Sequence, residues 1–197
     1  MARTRPTLVM LGGPNGAGKT TLSRALIEDA HGIGEFVNAD TIAAGLSAFS
    51  PESAAFEAGR VMLKRIHDLG AENRSFAFES TLSSRSFAPL ARKLKNQGYR
   101  ISLYYVSLPS AQLAVQRVQY RVSQGGHHIP AADVTRRFYR SLRNLFELYL
   151  PIANEWVIFD NRKRQRPDII AEHKQSHQKI FRRSAWQSLQ SLAQRAT

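Results

Sequence analysis

The sequence has no cysteine, which excludes a disulfide framework and any zinc site built on thiolates. No apolar run approaches the ~20 residues that a membrane-spanning helix needs. The longest early run, Leu8 to Leu11, is also too short for the core of a secretory signal. From these absences we expect a cytoplasmic protein with no membrane partner. There is no internal repeat and no low-complexity segment. Acidic residues are scarce, with 15 Asp+Glu against 28 Lys+Arg and a formal net charge of +13. Such a surplus implies an anionic partner: a nucleotide, a nucleic acid, an anionic lipid or an acidic protein. The excess is uneven. From Asn161 onward nine Lys/Arg face two Asp/Glu, so +7 sits in the tail and +6 in the first 160 residues.

What is present has an ordinary soluble composition, 43% apolar and 22% charged over 197 residues. That length favours one domain with a small appendage. Short apolar runs alternate with helical periodicities. "TLVMLG" (7–12), Glu35–Asn38, "SFAFES" (75–80), "RISLYYVSL" (100–108) and "EWVIFD" (155–160) read as strands. Helices are expected over Lys19–Asp29, from Ser50-Pro51-Glu52 to Leu69, over Ser86–Gln97, Ala111–Gln124 and Ala131–Leu148, and along a basic tail from Asp168 to Ala193. Ser50 is the expected cap of the second of these. The alternation fits βαβ units, hence an α/β fold with a parallel sheet of about five strands flanked by helices. The basic, proline-containing loop Asn161–Pro167 is the expected boundary between a domain over 1–161 and a tail over 162–197.

Residues Gly13–Thr20, "GPNGAGKT", match the pattern G-x-x-x-x-G-K-[ST]. Each part has a physical role. The glycines let backbone N–H groups turn inward around phosphate oxygens, and the helix that follows points its positive end at the same anion. In this reading Gly13, Pro14, Asn15, Gly16, Ala17, Gly18, Lys19, Thr20 and Thr21 form an ATP or GTP cradle. Lys19 reaches the outer phosphates, and Thr20 offers its hydroxyl to Mg²⁺.

Two carboxylates end later strands. Asp40, in "FVNADTIAAGL" (36–46), stands just beyond the second strand, where ligands of open parallel sheets gather. It is either a base for an acceptor hydroxyl or a cap of the next helix. Glu79, in "FAFESTL" (76–82), would face the acceptor, face a water on Mg²⁺, or cap the Thr81–Ser84 turn. The chain lacks a clean apolar-run aspartate and an "LSGGQ"-like stretch. That moves the reading away from motor and transporter ATPases toward a small-molecule kinase.

Taken in order, the phosphate loop, "NAD" with Asp40, "AFEST" with Glu79 and Thr81, "GGHHIP", "RRFYRSLRNL" and "FDN" resemble the zeta-toxin family of small P-loop kinases. The likeness runs from about residue 7 to 161. It implies a fold like that of nucleoside-monophosphate kinases, with a helical lid near 117–140. It implies transfer of the γ-phosphate of ATP to a sugar hydroxyl of a nucleotide-linked acceptor such as UDP-N-acetylglucosamine. It also implies a toxin paired with an antitoxin, expected here as a separate acidic protein. By position, Lys19 and Thr20 would serve ATP and Mg²⁺, and Asp40 would be the base. Glu79 and Thr81 would contact the acceptor, and Arg121 and Arg137 would be the lid arginines.

Helical geometry sorts the lid's six arginines independently. Val134, Phe138, Leu142, Leu145, Phe146 and Tyr149 form one apolar face, with Arg136 and Arg140 opposite and Arg137 at its border. On the preceding helix Arg121 borders Ala114, Val118 and Val122, while Arg117 is expected further out. Arg121 and Arg137 are therefore the candidates for transition-state charge stabilisation, and Arg136, Arg140 and Arg143 the solvated ones. Gly125 and Gly126 would be lid hinges, and His127 a hydrogen-bonding loop residue. Neither His127/His128 nor His173/His177 has acidic or cysteine partners at metal-ligand spacing. The tail charge keeps a second class open, a nucleic-acid-directed kinase or a nucleotide-gated RNA- or DNA-binding protein.

Overall fold

In the computed structural model, residues 5–48, 51–126, 128–163 and 167–195 are described. Ser50, His127 and part of the 161–167 boundary lie outside them. The strands are β1 (Thr7–Gly12), β2 (Phe36–Asn38), β3 (Phe76–Ser80), β4 (Arg100–Ser107), β5 (Glu155–Asp160), β6 (Asp168–Lys174) and β7 (His177–Ile180). The helices are α1 (Lys19–Ser23), α2 (Ala39–Leu46), α3 (Ala55–Ala71), α4 (Phe87–Asn96), α5 (Ala111–Ser123), α6 (Ala131–Asn144), α7 (Leu150–Ile152) and α8 (Arg183–Gln194). Wide π-type turns continue α1 over Arg24–Asp29 and α6 over Leu145–Tyr149, and a 3₁₀ turn, Pro51–Ala54, leads into α3.

The sheet runs β2-β3-β1-β4-β5-β6-β7. Its first five strands are parallel, as the βαβ alternation requires. β1 lies at the centre, and Leu8 to Leu11 are fully buried because helices cover both faces. The chain lays β2 and β3 on one side of β1, then crosses to place β4 on the other. This reversal opens a crevice at the carboxyl end of β1, where the glycine-rich loop begins.

The tail differs from the expected helix. Residues 168–180 form an antiparallel hairpin that extends the sheet beyond β5, and only 183–194 are helical. The hairpin closes through a two-residue loop, Gln175–Ser176, between the paired Lys174 and His177. Both loop residues take positive φ, 49° and 64°, the geometry of a tight turn normally written with Asn and Gly. "QS" carries no such signal, so the hairpin is hidden from sequence reading. Helix α8 then packs Trp186 flat on Trp156 of β5, ring centroids 5.8 Å apart, with His173 of β6 stacked on the same Trp156.

Candidate active site

The glycine-rich loop leaves β1 and returns to α1 with Lys19 buried at its base. Lys19 Nζ donates to the Pro14 carbonyl at 3.2 Å and lies 3.8 Å from Glu79 Oε1. Burial pulls the Lys19 pKa down, Glu79 and Asp40 oppose that fall, and Arg121 adds to it. A buried cation with partial compensation is a site for an anion, since an incoming phosphate restores the field that burial removed.

Glu79 comes from the end of β3. Its register opposite Leu11 of β1 and Asn38 of β2 brings it beneath the loop. The Thr20 hydroxyl donates to both its oxygens, at 3.2 and 3.0 Å, and Asn38 Nδ2 donates to Oε2 at 3.0 Å. Among the described residues no cluster of three His, Cys, Asp or Glu stands ready as a protein-only metal cage. Mg²⁺ does not need one, because it is held by one or two protein oxygens together with phosphates and waters. The Thr20 hydroxyl and the Glu79 carboxylate are hard oxygen donors of the right kind in the right place.

Asp40 stands at the start of α2, and the cap is made by its neighbour. Asn38 Oδ1 accepts from the Asp40 N–H at 2.8 Å and from the Thr41 N–H at 3.4 Å. The Asp40 side chain is exposed and borders the crevice. Its alternative role as helix cap is thus filled by Asn38.

Two clefts meet at this centre. One, of about 510 Å³, is lined by Gly16, Gly18, Thr20, Thr21, Arg121 and Asn161. The other, of about 540 Å³, is lined by Phe56, Gly59, Thr81, Phe87, His128 and Arg137. Asn15, Lys19, Asp40 and Glu79 border both and form the wall between them. Arg121 therefore lines the cleft on the phosphate-loop side and Arg137 the opposite one. Arg136 is paired with Asp133 at 2.9 Å and largely exposed, and Arg140 is exposed, as the face argument expects.

The loop carrying Thr81 is held from α6. Ser141 Oγ donates to the Thr81 carbonyl at 2.5 Å, and Asn144 Nδ2 donates to the Leu82 carbonyl at 2.9 Å. Leu82 is fully buried at φ 54°. A left-handed leucine costs ~1–3 kcal/mol and persists only where its surroundings impose it. Ser141 and Asn144 were missed in the sequence because polar residues on an otherwise apolar face read as exceptions rather than as anchors. Arg117 corrects the sequence reading outright. Expected further out, it is only 9% exposed, its guanidinium turned onto backbone carbonyls of the glycine-rich loop and of the β5 exit. The lid's Gly125 takes φ 83° and, with Gly126, closes α5 by N–H bonds back to Val122 and Arg121, a helix stop of the left-handed kind.

A family model described as AAA domain matches residues 8–148. The chain belongs to this family. A relative from Haemophilus influenzae, known only as an uncharacterized protein, is 32% identical over 127 residues, covering 64% of this chain and 88% of that one. Among solved structures, the AvrRxo1-ORF1:AvrRxo1-ORF2 complex with sulphate ions aligns at TM-score 0.77 and 16% identity over 95% of this chain. The same complex with ATP aligns at TM-score 0.75 and 16% identity, also over 95% of this chain. In both cases the chain spans 64% of the length of its counterpart. The PezAT chromosomal toxin–antitoxin system of Streptococcus pneumoniae aligns at TM-score 0.62 and 18% identity, over all of this chain and 89% of that one. At these identities the likeness is one of fold. It is the α/β, mostly parallel fold of small P-loop proteins, and it agrees with the zeta-toxin-like resemblance read from the motifs. No helix among the described residues is long and apolar enough to cross a membrane.

Proposed function

We propose that this chain is an ATP-dependent phosphotransferase that moves the γ-phosphate of ATP to a hydroxyl of a small acceptor. The observation that carries the reading is the shared wall. Lys19, Asp40 and Glu79 border two clefts at once, one built on a phosphate loop and one of comparable size facing it. An ATPase needs the first cleft alone.

In this reading the phosphate loop from Gly13 to Thr21 holds the triphosphate, with Lys19 against its outer phosphates. Thr20, with Glu79 beside it, would hold Mg²⁺, which would supply charge neutralisation to the phosphates. This moves Glu79 from an acceptor contact toward the metal side, while Thr81 stays with the acceptor. Asp40 orients the acceptor hydroxyl and takes its proton as the oxygen attacks the γ-phosphorus. The bond from that phosphorus to the bridging β–γ oxygen breaks, and ADP leaves. Arg121 and Arg137 stabilise the spreading charge from opposite sides.

We further propose a nucleotide-linked acceptor such as UDP-N-acetylglucosamine, a cytoplasmic place of action, and a separate acidic antitoxin as partner. The motif order supports these, and so does the fold shared with a toxin–antitoxin protein. The test is incubation with γ-labelled ATP and a panel of UDP-sugars, nucleosides, dinucleotides and RNA. Label is expected on a UDP-sugar. Label on RNA instead would favour the nucleic-acid-directed kinase suggested by the +7 tail. Hydrolysis without any labelled acceptor would contradict phosphotransfer.

A further inference from the structure

We propose that Arg117 is a positioning residue. It ties the first lid helix to the phosphate loop and so fixes the angle at which Arg121 is presented to the nucleotide. This inference rests on the phosphotransferase reading, because it assigns Arg121 to ATP.

A buried guanidinium is costly unless its donors are met. Those of Arg117 are met by carbonyls from two separate segments. Nη1 donates to Gly16 O at 3.4 Å in the phosphate loop, and Nη2 donates to Asn161 O at 2.8 Å and Arg162 O at 3.0 Å beyond β5. The phosphate loop leaves β1, and β4 lies between β1 and β5 in the sheet, so no ladder joins these two exits directly. Arg117 spans them from α5, and Asn161 makes a second tie by donating from Nδ2 to Ala17 O at 2.7 Å. The helix itself touches the loop. A Cβ added at Gly16 would lie 3.0 Å from Arg117 Cβ and 3.0 Å from the Ala114 carbonyl. Arg121 stands one helical turn beyond this anchor, exposed in the cleft that Arg117 also lines. It is close enough to Lys19 to affect its proton affinity. A short helix is stiff over one turn, so the anchor sets the direction of Arg121. The planar guanidinium offers five donors in a fixed fork, which suits carbonyls on two segments at once. A lysine presents a point charge instead.

The test is a double-mutant cycle read as Mg·ATP affinity by equilibrium binding, with wild type, Arg117→Lys, Arg121→Ala and the double variant. Each single change is expected to weaken binding about tenfold, and the double variant should stay within about threefold of Arg121→Ala, because residues acting as one unit are not additive. A purely structural role would multiply the losses to about a hundredfold, which overturns the proposal. So would Arg117→Lys binding like wild type. Should Arg117→Lys not fold, Arg117→Gln, which keeps a planar donor, runs the same cycle with the same expected and opposing results. A wild-type protein that binds Mg·ATP but labels no acceptor would fail the functional reading while leaving this cycle decisive.

Discussion

The cleft beneath Arg121 is built on the glycine-rich loop and the start of α1, and the cleft beneath Arg137 on residues of the α3 and α4 faces. On the first side Gly16, Gly18 and Thr20 present a loop and a helix start to the ligand. On the second, Phe56, Met62, Leu63 and Phe87 supply surface from α3 and α4. A cradle made of backbone depends on glycines at fixed spacing, and that spacing is visible as a motif. A pocket made of side chains on helix faces can be written in many ways and leaves no motif. Phe56 illustrates the second case. It is 82% exposed, the highest value among the exposed large hydrophobic residues of the described chain, and it lines the second cleft.

Helices α5 and α6 repeat this contrast. α5 is anchored to the phosphate loop through Arg117, and α6 to the Thr81 loop through Ser141. In each helix the candidate arginine stands four residues from the anchor, Arg121 after Arg117 and Arg137 before Ser141. Each arginine thus stands about one turn from a tie to a loop bordering its own cleft.

The largest effect is expected at the shared wall. Lys19→Met should lower phosphotransfer by about 10³-fold and weaken ATP binding, since it removes a preorganised charge from the transferring group. Because burial lowers the Lys19 pKa, its ammonium is lost at a lower pH than that of an exposed lysine. ATP affinity should therefore fall on the alkaline side before the ordinary lysine range, a titration that Lys19→Met abolishes. Next come the arginines, each worth about 10²-fold in kcat/KM. Arg121→Ala should raise the KM for ATP, and Arg137→Ala the KM for the acceptor. Steady-state kinetics with each substrate varied separately would show whether the clefts are assigned correctly, and equal effects of both variants on both KM values would merge them.

A smaller effect is expected at Gly59, where an added Cβ meets nothing within 4 Å. Glycine in a helix interior costs ~1 kcal/mol relative to good helix formers. Gly59→Leu should accordingly raise the melting temperature slightly while raising the KM for the acceptor about tenfold and leaving that for ATP unchanged. The smallest effect is Arg136→Ala, expected within ~0.5 kcal/mol in stability because its pair with Asp133 is exposed. Its kinetics on either side should match wild type.

The same division governs what was legible in the sequence. The parallel sheet, the phosphate loop and the order of helices were readable because buried parallel strands are continuous apolar runs and the loop has a fixed pattern. Helical periodicity puts Arg117 outward because it counts only the apolar face of the helix as buried. A backbone carbonyl surface is equally able to bury a guanidinium, but it has no sequence signature. Glu79 left three roles open, since position at a strand end does not say which neighbour it meets. The register against β1 brings it to Thr20. The tail hairpin escaped because Gln175 and Ser176 adopt positive φ without glycine. β6 also has no alternation to read, since its buried residues Ile170 and Ala171 are adjacent.

The account depends most directly on Asp40, exposed on the wall with its capping role filled by Asn38. The decisive measurement is Mg·ATP binding and label transfer from γ-labelled ATP to UDP-N-acetylglucosamine, or to whichever acceptor the panel labels, by Asp40→Asn. The substitution keeps the shape and removes the base. Transfer is expected to fall by about 10²–10⁴-fold with ATP affinity within about threefold of wild type. An Asp40→Asn protein that transfers phosphate at the wild-type rate would contradict the account.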